Sequence, residues 1–210
     1  MGLQKKMDKS CSKKANIQTI LEMLEAHFSF KMSSNLPVIA IYSIYELLMN
    51  RSERYKNKNL LPLQVHTSSD KHDFGDIEIY NLDGQPFEII EIKHNKPIDR
   101  FMIFDILKKT ELVNVKRYYV LTTYKNSFET QAEEIFVGNL INRMQKDTNM
   151  DIITNGIITT LKYYLRSLDD YDTFIKNYTK NLIVDSNNST EIKSFHIEKW
   201  MDILKKNEII

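Results

Sequence analysis

The chain has 210 residues, 42% of them hydrophobic and 27% charged, with a formal net charge of +1. This is an ordinary composition for a globular protein, enough for one compact domain with a small appended part, and it lacks the strong basicity of many nucleic-acid binders. No apolar run is long enough to span a bilayer, the N-terminus has no signal-like apolar core, and the single cysteine, Cys11, rules out an internal disulfide and a cysteine zinc site. The expectation is a reducing, cytoplasmic setting.

The first segment carries Lys5, Lys6, Lys9, Lys13 and Lys14 against Asp8. It reads as a solvated, flexible tail over 1–15 or as a basic arm touching DNA backbone. Ile17, Ile20, Leu21, Leu24 and Phe28 recur at helical spacing and predict a helix over 16–29. A very apolar helix is expected over 37–52. Its polar residues Ser43, Glu46, Asn50 and Glu53 form one narrow stripe. The polar stretch His66–Phe74 reads as loop.

The period then changes to that of strands. Asp76–Tyr80 and Phe87–Lys93 alternate, and Asp83-Gly84 between them is a signal for a two-residue turn. Further on, the pattern predicts a helix over 98–110, a buried strand over 117–123, a helix over 127–147 and a short strand over 151–154. Helices over 156–167, 170–182 and 190–206 follow. The fold class expected is α/β, a mixed central sheet with a β-hairpin and flanking helices. The division expected is a core over 16–155 and a helical extension over 156–210 packed on that core.

A two-residue turn at Asp83-Gly84 makes Tyr80 oppose Phe87, Glu78 oppose Ile89 and Asp76 oppose Glu91. Opposed Cβ atoms lie roughly 4.5–5.5 Å apart. Side chains alternate along a strand, so Lys93 shares the face of Glu91, while Ile77, Ile79, Ile90 and Ile92 form an apolar face opposite. Two opposed carboxylates need compensation by Lys93 or by a metal. Mg²⁺ prefers oxygen ligands and often takes one or two carboxylates plus substrate phosphate.

Gly75-Asp76, fourteen residues, then Glu91-Ile92-Lys93 resembles the motif of PD-(D/E)XK nucleases, with Gly75 where that motif has proline. The resemblance implies a restriction endonuclease-like mixed sheet. Asp76 and Glu91, with Ile92 between Glu91 and Lys93, would hold Mg²⁺, and Lys93 would assist the attacking water. Leu36–Tyr45, Leu61–Thr67, Gly75–Ile98 and Asn155–Tyr164 are similar to bacterial type II restriction endonucleases, some of which accompany cytosine-5 DNA methyltransferases. Glu46 is then a candidate for a further catalytic carboxylate, since such nucleases often place an acidic helix beside the hairpin.

Ser68 and Ser69 before the motif, and Asn95 and Lys96 after it, are candidate DNA contacts; plain solvated loops are the alternative. Asp70 and Asp73 rival Asp76 but do not begin the alternating strand. His94 should point away from the site. Lys162, Tyr163, Tyr164 and Arg166 form a basic, aromatic segment more typical of packing than of DNA reading. No nucleotide loop, nucleophile elbow or cofactor-binding glycine pattern is present. The expected function is a Mg²⁺-dependent type II restriction endonuclease acting on double-stranded DNA as a homodimer, either alone or beside a cognate cytosine-5 DNA methyltransferase. The alternatives are a repair or mobile-element nuclease of the same fold, or a non-catalytic DNA-binding module.

Overall fold

The computed structural model describes residues 14–63, 74–188 and 191–210. The chain divides into two compact units. One is a sheet unit over 48–157; the other is a helical unit that combines the chain up to residue 47 with residues 158–210. The expected core over 16–155 places the first two helices with the sheet. They belong instead with the C-terminal helices, a pairing of segments far apart in sequence.

The sheet unit carries β1 (Lys58–Leu60), β2 (Ile77–Asn81), β3 (Pro86–Lys93), β4 (Arg117–Thr122) and β5 (Asp151–Gly156), ordered as numbered. β1, β2 and β3 are antiparallel; β3, β4 and β5 are parallel. The parallel pairs are joined by α3 (Arg100–Thr110) and α4 (Gln131–Thr148). This is the mixed α/β architecture that the change of period predicts. The short β1 carries no alternation signal and follows a 3-10 turn at Glu53–Tyr55.

Ile89, Tyr118, Val120 and Ile152 come from one face of β3, β4 and β5. They are buried together with Ile103 and Ile106 of α3 and Val137, Leu140 and Met144 of α4. Asp99 caps α3 by accepting from Met102 N (2.9 Å), and Thr130 caps α4 by accepting from Glu133 N (3.2 Å). The Thr130 cap explains why α4 begins at Gln131 and not at the expected 127. Arg100 on the first turn of α3 pairs with Glu133 on the first turn of α4, tying the two crossover helices together.

The hairpin corrects the expected turn. Gly84 alone of the pair has positive φ, at 81°, and the loop has three residues, Leu82-Asp83-Gly84. Asn81 N donates to Gln85 O (2.9 Å) and Gly84 N to Asn81 O (3.1 Å). This is a β-turn closed by a left-handed glycine. Tyr80 therefore pairs with Pro86, not Phe87, and the register shifts between Ile79 and Tyr80, leaving Phe87 as the extra residue of a bulge. Beyond the bulge, Ile79 meets Glu88, Glu78 meets Ile89 and Ile77 meets Ile90. The longer loop and the bulge offset one another by one residue each, so the strands run toward Asp76 and Glu91 in the register that a two-residue turn would have set.

The face opposite α3 and α4 is less uniformly apolar than expected. Ile77, Ile79, Ile90 and Ile92 are buried there, but so is Glu88, whose carboxylate is held by the Arg54 guanidinium and by Tyr55 OH (3.0 Å). A fully buried carboxylate is sustained only by such pairing.

The helical unit contains α1 (Ile17–Phe28), most of α2 (Leu36–Met49) and α5 (Ile157–Leu165), and all of α6 (Tyr171–Asn188) and α7 (Ser194–Lys206). α7 packs on α1 and α6. At its centre His27 stacks on Trp200 (ring centroids 5.3 Å) and bonds Tyr178 OH through Nδ1 and the His196 carbonyl through Nε2, both at 2.9 Å. Since Nε2 must donate to the carbonyl, Nδ1 accepts from the phenol, and the pair of bonds fits the neutral ring. Among the described residues, no helix is long and apolar enough to cross a membrane.

Burial drives the His27 pKa down from 6.5 to about 4. A lowered histidine pKa means the unfolded chain binds the extra proton first. The contribution is complete above 6.5 and is lost as pH falls toward 4, about 3 kcal/mol in all. Urea titrations followed through Trp200, the chain's one tryptophan, should show a clearly lower midpoint at pH 4.5 than at pH 7. An unchanged midpoint would show that His27 is not buried as described.

Candidate active site

Asp76 stands one residue before β2 and Lys93 ends β3, so the antiparallel hairpin brings both to the C-terminal end of the parallel strands. Open α/β sheets commonly place ligands at this end. Asp76 Oδ2 accepts from Ile92 N at 2.7 Å. A strand residue projects its N–H and C=O to the same side, so the Ile92 carbonyl also faces the Asp76 side. Lys93 O, one residue on, accepts from Thr123 N of the β4 side (3.1 Å), as the alternation requires.

Glu91 and Lys93 lie on the α3 side of the sheet and are joined by an ion pair. Their side chains keep 14% and 29% exposure, so the pair is partly withdrawn from water but reachable. The second Glu91 oxygen, Oε2, lies 3.9 Å from Lys109 Nζ of α3, which also pairs with Asp105 at 3.2 Å. Glu91, Lys93, Phe101, Asp105, Lys109 and Tyr118 line a cavity of about 270 Å³. Asp105, Lys109 and Tyr118 are not among the residues that the sequence singles out. Their signal is present in outline: Phe101, Asp105 and Lys109 recur every four residues on the helix that follows the motif.

Burial works against the charge on Lys93, yet its pKa is raised. The hydrogen bond and charge of Glu91, with Asp76 and Asp105 behind it, outweigh desolvation. Lys93 is therefore an ammonium through the neutral range, suited to donating hydrogen bonds and offsetting negative charge rather than to removing a proton. Burial, then the charges of Glu91 and Asp76, push the Tyr118 phenol far up, and it donates to Phe74 O at 2.5 Å. His94 bonds Thr123 Oγ1 through Nδ1 (2.9 Å), and burial lowers its pKa.

The approach to Asp76 is held from inside the hairpin. Glu78, fully buried, accepts from Phe74 N (3.0 Å) and Gly75 N (3.2 Å) through Oε1, and from Tyr80 OH through Oε2 (2.7 Å). The glycine in place of proline has a local cause. A Cβ at Gly75 would meet Ile89 Cγ2 at 2.6 Å and Ile90 O at 3.0 Å, and a proline would also lose the N–H that Glu78 binds.

The other sequence candidates fall in several places. Ser68, Ser69, Asp70 and Asp73 lie outside the described residues, as does the basic segment up to Lys13. Asn95, with φ 54°, and Lys96 are exposed in the loop leaving β3; Asn95 N donates to Thr123 Oγ1 (2.8 Å) and Lys96 O accepts from Thr122 Oγ1 (2.6 Å). Glu46 belongs to the helical unit. Its carboxylate is taken up by α6, through Asn177 Nδ2 (2.9 Å), Asn181 Nδ2 (2.6 Å) and Lys180 Nζ (3.5 Å). Ser43, on the same polar stripe, is fully buried and accepts from Asn181 (2.9 Å). Tyr164 packs on Tyr45 with the two hydroxyls 3.0 Å apart, while Tyr163 is exposed.

Among the described residues no three His, Cys, Asp or Glu side chains form a ready metal group. What the hairpin offers is sparser and all oxygen: the Asp76 and Glu91 carboxylates and the Ile92 carbonyl. That set suits Mg²⁺, which keeps waters and shares substrate phosphate, better than a metal needing nitrogen or sulfur ligands. No protein-family model matches the chain, and no curated protein matches it.

The close approach at Gly75 is directly testable. Gly75→Ala should destabilise the protein by about 1–3 kcal/mol, the usual effect of forcing atoms into a packed site. Glu78→Gln, with one acceptor oxygen lost, should destabilise it as well. Urea unfolding of each variant checks this, and a wild-type midpoint for Gly75→Ala would contradict the packing of Gly75 on β3.

Proposed function

We propose that this protein is a magnesium-dependent deoxyribonuclease of the PD-(D/E)XK type, specifically a type II restriction endonuclease of the cytoplasm. The observation that supports it best is the gathering of Asp76, Glu91 and Lys93 at one end of a bulged hairpin beside a cavity. Asp76, Glu91 and the Ile92 carbonyl would hold Mg²⁺, which polarises a phosphodiester and activates water when bound. Asp76 is fixed for that task by its bond to Ile92 N, and Glu91 by the rigid strand beneath it. Lys93, held protonated, donates to the attacking water or to the phosphoryl oxygens and offsets the charge that develops there.

Breaking both strands of a duplex requires two such sites, so the reading carries a homodimer with it. It also implies a neighbouring cytosine-5 methyltransferase to protect host DNA. Asn95 and Lys96, exposed on the loop beside Lys93, are proposed DNA-backbone contacts, and Ser68 and Ser69 are proposed to approach the same DNA.

Unmethylated plasmid incubated with the protein and Mg²⁺ should yield discrete fragments, and excess chelator should abolish them. A continuous smear would favour the repair or mobile-element nuclease, and intact plasmid under all metal conditions would leave only a binding module. Lys93→Ala should slow cleavage roughly 10²–10⁴-fold with metal affinity by calorimetry retained. Asp76→Ala should lose cleavage and metal affinity together. If Lys93→Ala cuts within about tenfold of wild type, roughly 1.4 kcal/mol, Lys93 is not the catalytic lysine.

A further inference from the structure

We propose that Lys109 is a second phosphate-binding cation of this site, presented from α3 and held by Glu91 and Asp105 until a divalent cation displaces it from Glu91. The inference rests on the nuclease reading and deepens it, because it makes DNA affinity depend on the metal through a named side chain.

Three observations carry it. Phe101, Asp105 and Lys109 follow one another at four-residue steps, and all three line the cavity that Glu91 and Lys93 line from the sheet. An ordinary helix-surface pair accounts for the Asp105–Lys109 contact at 3.2 Å but not for the reach of the same ammonium to Glu91 Oε2 at 3.9 Å. Finally, Glu91 has both oxygens committed to lysines, Oε1 to Lys93 and Oε2 to Lys109. A divalent cation taking up Glu91 competes with both ammonium groups for its charge. Lys109, the more distant and on a separate element, is the one released, while Asp105 keeps it at the cavity.

The charge balance gives the consequence. Asp76, Glu91, Asp99 and Asp105 stand in or beside the cavity against Lys93 and Lys109. Without metal the balance is negative and a phosphodiester is repelled. A divalent cation on Glu91 and Asp76 brings the balance to neutral only if Lys109 is counted, and it frees that flexible, compact ammonium for the incoming phosphate.

The test uses the full chain, a labelled random-sequence duplex and Ca²⁺ as a metal expected to bind without supporting cleavage. Fluorescence anisotropy should show that wild type binds DNA more tightly in Ca²⁺ than in chelator. Lys109→Gln should lose roughly tenfold in affinity in Ca²⁺ and little in chelator, and its salt slope in Ca²⁺ should fall by about 0.9, one phosphate contact. Lys109→Arg should keep most of the affinity. By calorimetry without DNA, Lys109→Gln should bind Ca²⁺ at least as tightly as wild type, since a competing cation is gone. Equal losses with and without Ca²⁺ would reduce Lys109 to a general surface charge and overturn the proposal. Unchanged affinity beside a metal-dependent wild type would overturn it and leave the nuclease reading standing. Wild type that binds no DNA in either condition would overturn both. Thermal melting of the variants checks that folding is preserved.

Discussion

The bond from Ile92 N to the Asp76 carboxylate joins the beginning of β2 to the end of β3 where the strand ladder itself has stopped. It does for the sheet what a further pair of backbone bonds would do, but with a side chain, so the carboxylate is fixed in place by the structure it helps to close. The Ile92 carbonyl is brought to the same side by the geometry of the strand. Glu91 and Lys93, one residue to either side, are turned to the α3 face. If β3 slipped by one residue, Glu91 and Lys93 would exchange faces with Ile90 and Ile92 and the site would be dismantled.

A buried carboxylate stands on each face of the hairpin. Glu88 on one face is held by Arg54 and Tyr55, and Glu78 on the other by Phe74 N, Gly75 N and Tyr80. A one-residue slip of β3 would strand Glu88 away from Arg54 and Tyr55, at a cost of several kcal/mol, whereas the partners of Glu78 lie on its own strand and just ahead of it. Glu78 has the further effect of holding the chain just ahead of Asp76, while Tyr118 of β4 holds the same point through Phe74 O. Glu91 and Lys93 thus stand on a strand and Asp76 one residue before one, braced by neighbours with fixed partners of their own, an arrangement that keeps a candidate site precise.

The helical unit is organised by a different principle. Ser43 and Glu46 form a polar stripe on a helix of otherwise apolar character, and that stripe is met by Asn177, Lys180 and Asn181 at matching spacing on α6. A second polar cluster, His27 with Tyr178 and the His196 carbonyl, is packed on Trp200. Both clusters are satisfied by groups more than a hundred residues distant in sequence, so they specify how the two ends of the chain pair.

Much of this is legible in the sequence, because period and caps are local properties. The change from 3.6 to two marks the hairpin, the alternation assigns Asp76, Glu91 and Lys93 to one face, and the apolar periods locate the helices to within about four residues, except that α6 continues to Asn188 where an end at 182 is expected. The turn is not legible in the same way, since Asp83-Gly84 states that a glycine is needed at positive φ but not how many residues the loop contains; the bulge at Phe87 restores the register for reasons of packing that no local signal carries. β1 is invisible because three residues of an edge strand owe their conformation to the partner they pair with. Asp105 and Lys109 are unremarkable on a charged helix until the crossover lays that helix over the sheet. What the sequence determined alone was the identity of Asp76, Glu91 and Lys93 and the shared face of Glu91 and Lys93, since those follow from covalent spacing. Tertiary structure decided which charges on other elements meet them, which are taken up by partners, and which segments pack together, because those contacts join residues that only folding brings within a few ångströms.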